Sequence, residues 1–337
     1  MKKILTLFIC FCSLTSCHSQ NNILDSEDIS AYAKTIKASE LKEALYTYAS
    51  DEFEGRKTGE PGQKKAVDYL RNQYVSMGIP SPISEGSYFQ DIPESFFSNG
   101  INASENVLAY IKGSEKPDEV VIISAHLDHI GISKNGDINN GADDDGSGTV
   151  ALLKIAKAFK TAVDDGHRPK RSVLFLHVTG EELGLYGSRY YTDVDPIFPL
   201  SNTVADLNID MIGRVDAKHE TDRNYLYLIG SDKLSTELHD ISEAVNNTYF
   251  NMEFDYTYND DNDPNRFYYR SDHYNFAKNN IPVIFYFNGT HADYHKPTDT
   301  PDKIEYDLLE TRTRLIFYTA WEVANREKRI VVDNLKS

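Results

Sequence analysis

Glu119-Val-Val-Ile-Ile-Ser-Ala-His126-Leu-Asp128 decides the fold of this 337-residue chain. From Val120 to Ala125 it is a nearly unbroken apolar run, with Ser124 the one exception. A strand of that kind is apolar on both faces and belongs inside a sheet covered from both sides. It then stops on a histidine and an aspartate, two groups that have no reason to follow a core strand unless they serve a site beyond its end.

The same pattern repeats outward in both directions. Strands are predicted over 106–112, 119–125, 172–178, 203–211 and 282–287, and Tyr225-Leu-Tyr227 reads as a strand face. Helices are predicted over 61–77, 147–160, 183–191, 231–246, 271–278 and 305–325. The helix over 61–77 has Pro61 in its first turn, Ala66, Val67, Leu70 and Tyr74 at helical spacing, and Gly78 as its stop. Buried strands alternating with helices predict an α/β fold: a single globular domain around a central, mostly parallel mixed β-sheet with helices on both faces. No linker, repeat or low-complexity tract divides the chain beyond residue 30.

The composition suits one large core, with 40% hydrophobic and 12% aromatic residues. A formal charge of −17 argues against nucleic acid as a partner. The chain opens with Lys2 and Lys3, a short apolar run and then Leu14-Thr-Ser-Cys17, which reads as an export signal too short to span a bilayer. Its ending resembles a bacterial lipobox. Residues 1–16 are therefore expected to be a signal peptide and 17–30 a polar tether from a lipid on Cys17. Residues 31–337 are expected to be the folded domain, held at the cell envelope with no other membrane contact. All three cysteines lie within the first 17 residues, so the domain has no disulfide, thiolate ligand or cysteine nucleophile.

Four apolar strands end in ligand-bearing loops. His126 and Asp128 follow the first, Gly180-Glu181-Glu182 the second, Asp210 the third and Tyr294-His295 the fourth, while Gly141-Ala-Asp-Asp144-Asp145 opens a helix. Ligands of open α/β sheets bind beyond the carboxyl ends of the strands. Imidazole and carboxylate are the donors zinc takes where no thiolate is offered. Two neighbouring metals further require a bridging carboxylate and terminal ligands on each side.

These motifs resemble the co-catalytic di-zinc aminopeptidases, the superfamily that includes glutamate carboxypeptidase and the transferrin receptor. The resemblance runs from about Ser50 to the C-terminus and rests on His-x-Asp, Gly-Ala-x-Asp-Asp-x-Ser-Gly, Thr-Gly-Glu-Glu, Asn-x-Asp-Met-Ile and a late Tyr-His. It implies two Zn²⁺ ions and a peptide substrate. One zinc would lie on His126 and Asp210, the other on Glu182 and His295, with Asp144 between them. It also implies a cis peptide after Asp144, Glu181 as general base and Tyr294 as a donor to the developing oxyanion. Side chains adjacent in sequence diverge, which leaves Glu181 free of the metal that Glu182 holds. Asp128, two residues from His126 on an extended segment, is expected to accept the other imidazole N–H.

Two other functions share the fold. A glutaminyl cyclase works with one zinc, and a binding lipoprotein would have lost ligands that this chain retains. Elsewhere His177 reads as core, and His291 as a rival of His295 or a substrate-side group. Arg270-Ser-Asp-His273 reads either as a capped helix start or as a substrate-binding segment. Residues 259–263 lack the glycine and glutamate of an EF-hand and read as a solvated loop.

Overall fold

The computed structural model describes residues 27–83, 86–98 and 100–334. Its strands are β1 (Phe89–Ile92), β2 (Ser104–Ile111), β3 (Lys116–His126), β4 (Arg171–Val178), β5 (Thr203–Ile209), β6 (Tyr225–Ile229), β7 (Glu253–Asp255) and β8 (Val283–Phe287). They form one sheet in the order β1-β2-β4-β3-β5-β8-β6-β7. The central four, β4-β3-β5-β8, are parallel, and β2 and β6 flank them antiparallel. The mixed, mostly parallel centre agrees with the sequence expectation.

Side chains of β3 alternate between two cores. Val121, Ile123 and Ala125 face a large cluster built with helices α1 (Glu27–Ala33), α2 (Ala38–Tyr48), α3 (Pro61–Met77), α4 (Gly148–Asp164), α6 (Thr236–Tyr249) and α8 (Tyr306–Asn325). Val120 and Ile122 face a smaller one with Tyr191 of α5 (Tyr186–Asp193) and Phe276 of α7 (His273–Ala277). Each fully buried valine, leucine or isoleucine contributes about 1.5–3 kcal/mol, so both faces of β3 hold the sheet in place.

Register brings the ligand-bearing ends level. His126 pairs with Val178, Ala125 with Ile209, and Ile209 with Tyr286. The loops after β3, β4, β5 and β8 therefore leave the sheet side by side.

Some boundaries differ from the sequence reading. Helix α1 begins at Glu27 and buries Ile29, Tyr32 and Ala33, so residues 27–30 belong to the folded domain and not to a tether. The signal segment and Cys17 lie outside the described residues. Helix α5 begins at Tyr186, because Gly184 and Leu185 take positive φ in the turn after Glu182. The short strands β1 and β7 carry too little hydrophobic pattern to be read in advance. Among the described residues, no helix is long and apolar enough to cross a membrane.

Candidate metal centre

The three aspartates in a row show how the fold sorts identical side chains. Asp143 turns away from the crevice, accepting from the Gly213 N–H at 2.7 Å and lying 3.2 Å from Nε2 of His291. Asp145 also faces inward to backbone, accepting from the N–H groups of His126, Gly148 and Met211 at 3.2, 2.9 and 3.0 Å. Only Asp144 points into the crevice. Its peptide bond to Asp145 is cis, as the resemblance implied. Gly141 opens this loop at φ 53°, where a Cβ would lie 2.2 Å from the Asp144 carbonyl oxygen and 2.5 Å from the His129 ring. No larger residue fits there.

The two oxygens of Asp144 face different partners. Oδ1 lies 3.2 Å from Nε2 of His126, which is itself 3.5 Å from Oδ1 of Asp210. Oδ2 lies 3.1 Å from Nε2 of His295, which is 3.0 Å from Oε2 of Glu182. His129 joins this second group, with Nδ1 2.7 Å from Oε1 of Glu182 and 3.8 Å from Oδ2 of Asp144. The structure thus brings together His126, Asp144, Glu182, Asp210 and His295, the five residues singled out by the sequence.

The donor set fits metal ions. Nε2 of His126, both ring nitrogens of His129, Oδ2 of Asp144 and Oε1 of Glu182 are buried without a hydrogen-bond partner. Buried polar atoms are rarely left so. Their close approaches lack hydrogen-bond angles, as expected when donors aim at a shared point. His126, Asp144 and Asp210 form one group able to hold an ion, and His129, Asp144 and Glu182 another.

Electrostatics agree. Burial opposes a charged imidazole at His126, yet Asp210 and Asp144 outweigh it and raise its pKa well above the ordinary value. Burial likewise opposes the charge on His295, but Asp144 and Glu182 raise its pKa to about 10.

Outer partners fix the ligands. Ser271 donates to Oδ2 of Asp210 at 2.7 Å and accepts from Asn208 at 2.8 Å. Thr149 donates to the His126 carbonyl at 2.7 Å. Oδ2 of Asp299 receives the N–H groups of Asp143 and Asp144 at 2.9 and 3.2 Å. Asp128 departs from its expected role. Nδ1 of His126 lies 3.1 Å from the Asp128 backbone carbonyl, while the carboxylate is 3.8 Å away. That carboxylate instead accepts from Thr58 at 2.7 Å and from the Glu181 N–H at 3.2 Å. The path of the backbone past Leu127 brings the carbonyl, and not the carboxylate, to the ring.

A small cavity beside Asp144 and Asp210 is lined by Glu181, Tyr294, Arg270 and the apolar Met211, Phe267, Phe285 and Phe287. Glu181 belongs to neither of the two groups able to hold an ion. Burial raises its pKa well above the carboxylate range, helped by Asp210 and Glu182 against His126. Burial and the neighbouring carboxylates likewise push the Tyr294 phenol up, so it stays protonated. Tyr294 stacks on His295 with ring centres 3.9 Å apart.

This geometry belongs with a sequence match to peptidase family M28 over residues 106–320, more than half of the chain. The chain belongs to peptidase family M28. It is 30% identical over 169 residues to leupeptin-inactivating enzyme 1 of Streptomyces exfoliatus, covering 50% of this chain and 34% of that one. It is 36% identical over 114 residues to a probable zinc metalloprotease of Pyricularia oryzae, covering 32% and 21%. The matched part thus spans about a third or less of these relatives. In fold, this M28 chain is similar to the LapA aminopeptidase of Legionella pneumophila (TM-score 0.70, 18% identity, 91% of this chain and 77% of that one). It is also similar to the glutaminyl cyclase of Porphyromonas gingivalis (TM-score 0.66, 18% identity, 85% and 98%).

The remaining M28 candidates divide. His291 is not on the substrate side: its side chain is 3% exposed and faces Asp143, away from the crevice. Arg270 lines the cavity with its guanidinium 4.8 Å from the Phe267 ring centre. Asp272 does not cap α7 with its side chain but accepts from Ser188. His273 is core, stacked on Phe285. His177 is core too, bonded to the Tyr74 hydroxyl at 2.8 Å. Within residues 259–263, Asp260 and Asp263 accept from nearby backbone N–H groups, and Asn259 accepts from the Gly230 N–H. The roles of His129, Arg56 and Asp299 were missed, and Ser271, inside the segment read as a helix start or a substrate-binding stretch, instead donates to Asp210. For His129 the signal was present, a second histidine three residues after the first, but its direction depends on the bridge its backbone makes with Lys57.

Proposed function

We propose that this chain is an exported zinc exopeptidase, an aminopeptidase carrying two Zn²⁺ ions that releases N-terminal residues from peptides. The observation that carries this reading is Asp144, whose two oxygens each serve a separate donor group. A carboxylate so placed can neutralise two cations at once. His126 and Asp210 would hold one zinc, Glu182 and His295 the other. Zinc supplies Lewis acidity and makes water a far better nucleophile at neutral pH.

The chain's own residues supply proton handling and orientation. Glu181 opens onto the same cavity as Asp144 and belongs to neither group of possible metal ligands, which leaves its carboxylate free to accept a proton. It takes the proton of the attacking water and returns it to the leaving amine. Tyr294, protonated at working pH, donates to the carbonyl oxygen as charge develops. Phe267, Phe285 and Phe287 line the cavity beside Asp144 and Glu181.

Hydrolysis of a panel of aminoacyl chromogenic amides, with and without chelator and added zinc, tests the activity. Glu181→Gln is expected to lower kcat about 10²–10⁴-fold with zinc content unchanged; wild-type activity in that variant removes Glu181 from the mechanism. The alternative is a glutaminyl cyclase, in keeping with the fold shared with one such enzyme. One zinc per chain and cyclisation of N-terminal glutamine would establish it, against two zinc ions and amide hydrolysis. Export and lipid attachment at Cys17 belong to the same proposal and rest on residues 1–17. Cys17→Ala is expected to move the protein from the membrane fraction to the soluble one, and an unchanged distribution dismisses the anchor.

A further inference from the structure

His129 lies outside the five residues assigned above, yet it is placed as they are. Its residue is 1% exposed, and neither ring nitrogen has a hydrogen-bond partner. Nδ1 approaches Oε1 of Glu182 to 2.7 Å, an atom that also lacks a hydrogen-bond partner. Two buried polar atoms this close, with no hydrogen bond between them, are arranged for a third body. His126 shows the same arrangement in the first group, where Nε2 stands 3.2 and 3.5 Å from two carboxylate oxygens with no hydrogen bond to either.

The ring has no alternative environment. Its Cγ and Cδ2 sit so close to Gly141 that a Cβ there would come within 2.5–2.6 Å of them. Its backbone N–H bonds to the Arg56 carbonyl at 3.3 Å, and the residue forms a parallel bridge with Lys57, which fixes the backbone after Asp128. The His295 ring stands 5.8 Å away, centre to centre, across the same carboxylates. His295 is 37% exposed on its side chain, whereas His129 is enclosed.

We infer that His129 is a further ligand of the second metal, so that this ion is held by four protein residues: His129, Asp144, Glu182 and His295. The inference rests on the two-metal reading above and deepens it. The first group, His126, Asp144 and Asp210, offers three. Sites with four protein ligands behave as closed zinc sites, whereas those with three keep a position for water or substrate. The two centres are therefore unequal. The second holds its ion more tightly and retains it under mild chelation, and the first exchanges and presents the open position.

The test uses the full zinc-loaded protein, dialysed against a chelator of moderate strength until one zinc per chain remains. X-ray absorption at the zinc edge then counts imidazoles around the retained ion. Two imidazoles, from His129 and His295, are expected in the wild type and one in His129→Gln. The variant's affinity for the retained zinc is expected to fall at least as far as the 10–100-fold typical of losing an outer partner of a ligand. A single imidazole in the wild type overturns the inference, and so does an unchanged count in a folded variant. A weaker affinity with an unchanged count assigns His129 to orienting Glu182, which also overturns it. Should His129→Gln fail to fold, the wild-type count alone decides. If the wild type takes up only one zinc at saturation, the two-metal reading fails, while the imidazole count still decides the role of His129.

Discussion

Replacing Arg56 by methionine asks whether one buried cation holds both ligand-bearing loops. Arg56 is fully buried, with its guanidinium 4.7 Å from the Tyr48 ring centre. Nε donates to the Leu127 carbonyl at 3.2 Å, and Nη1 donates to those of Asn140 at 2.7 Å and Tyr48 at 3.3 Å. Nη2 donates to the Gly141 carbonyl at 2.9 Å. Leu127 follows His126, and Gly141 opens the loop of Asp144, so the guanidinium clamps the two segments together. In the variant, Leu127 keeps the Tyr48 hydroxyl at 2.8 Å, and the Gly141 carbonyl keeps the Gly146 N–H at 3.2 Å. The losses that matter are the two short bonds, to Asn140 and Gly141. At about 1.5–3 kcal/mol for each charge-assisted bond, they amount to about 3–6 kcal/mol. Relief of the buried charge offsets part of this, which leaves an expected loss of about 3 kcal/mol, a large fraction of the 5–15 kcal/mol typical of a domain. Urea unfolding of the metal-free protein, followed by circular dichroism, measures it as a lower midpoint at unchanged slope. Zinc titration of the folded variant reads the second effect, a weaker metal affinity. A variant as stable as the wild type would refute the energetic argument. A destabilised variant with wild-type zinc affinity would refute the clamp.

Three other expectations follow from the centre and its surroundings. His295 carries a proton up to about pH 10 in the metal-free protein, although burial opposes it, because Asp144 and Glu182 retain it. A ligating imidazole must be neutral, so zinc binding releases that proton below pH 10 and affinity falls about tenfold for each unit of decreasing pH. Calorimetric titration in two buffers of different ionisation heat reads the release, and identical heats contradict it. Tyr294→Phe is expected to lower kcat about 10²–10³-fold with KM and zinc content close to wild type; an unaltered kcat removes the phenol from the oxyanion. Finally, burial lowers the pKa of His177 to about 3, so above pH 3 the folded state rejects a proton that the unfolded state accepts below its ordinary value. Its stability is complete above about pH 6.5 and lost on acidification toward pH 3, at about 1.4 kcal/mol per unit. His177→Gln should flatten the fall in stability between pH 6 and pH 4 by that amount, and an identical slope in both proteins rejects the assignment.

Much of the site was legible because of where its residues sit relative to apolar strands. His126, Glu182, Asp210 and His295 each follow a run that must be core, and a charged group there must face the crevice at the strand end. Asp144 could be chosen among three aspartates only through the register of its motif. The structure supplies the physical ground: Asp143 and Asp145 satisfy backbone N–H groups of Gly213, His126, Gly148 and Met211, and Asp144 is left to the centre. Asp128 and His291 were misplaced for a related reason. Their partners, the Glu181 N–H with Thr58 in one case and Asp143 in the other, come from different segments. Local spacing carries no information about them.

The roles of Arg56, His129, Ser271 and Asp299 were not legible for the same cause. Nothing near Arg56 announces a buried cation, since its four acceptors are carbonyls of Tyr48, Leu127, Asn140 and Gly141. Backbone carbonyls belong to every residue and leave no mark on the sequence. The amino-acid sequence alone determined the layered α/β fold, the strand ends that form the crevice and the kinds of donor that meet there, because hydrophobic period and residue chemistry are local properties. Tertiary structure alone decided which oxygen of Asp144 faces which group, that His129 turns toward Glu182 and that Asp128 serves Glu181. Those outcomes depend on distances between segments far apart in the chain, which are set only when both faces of the sheet are packed.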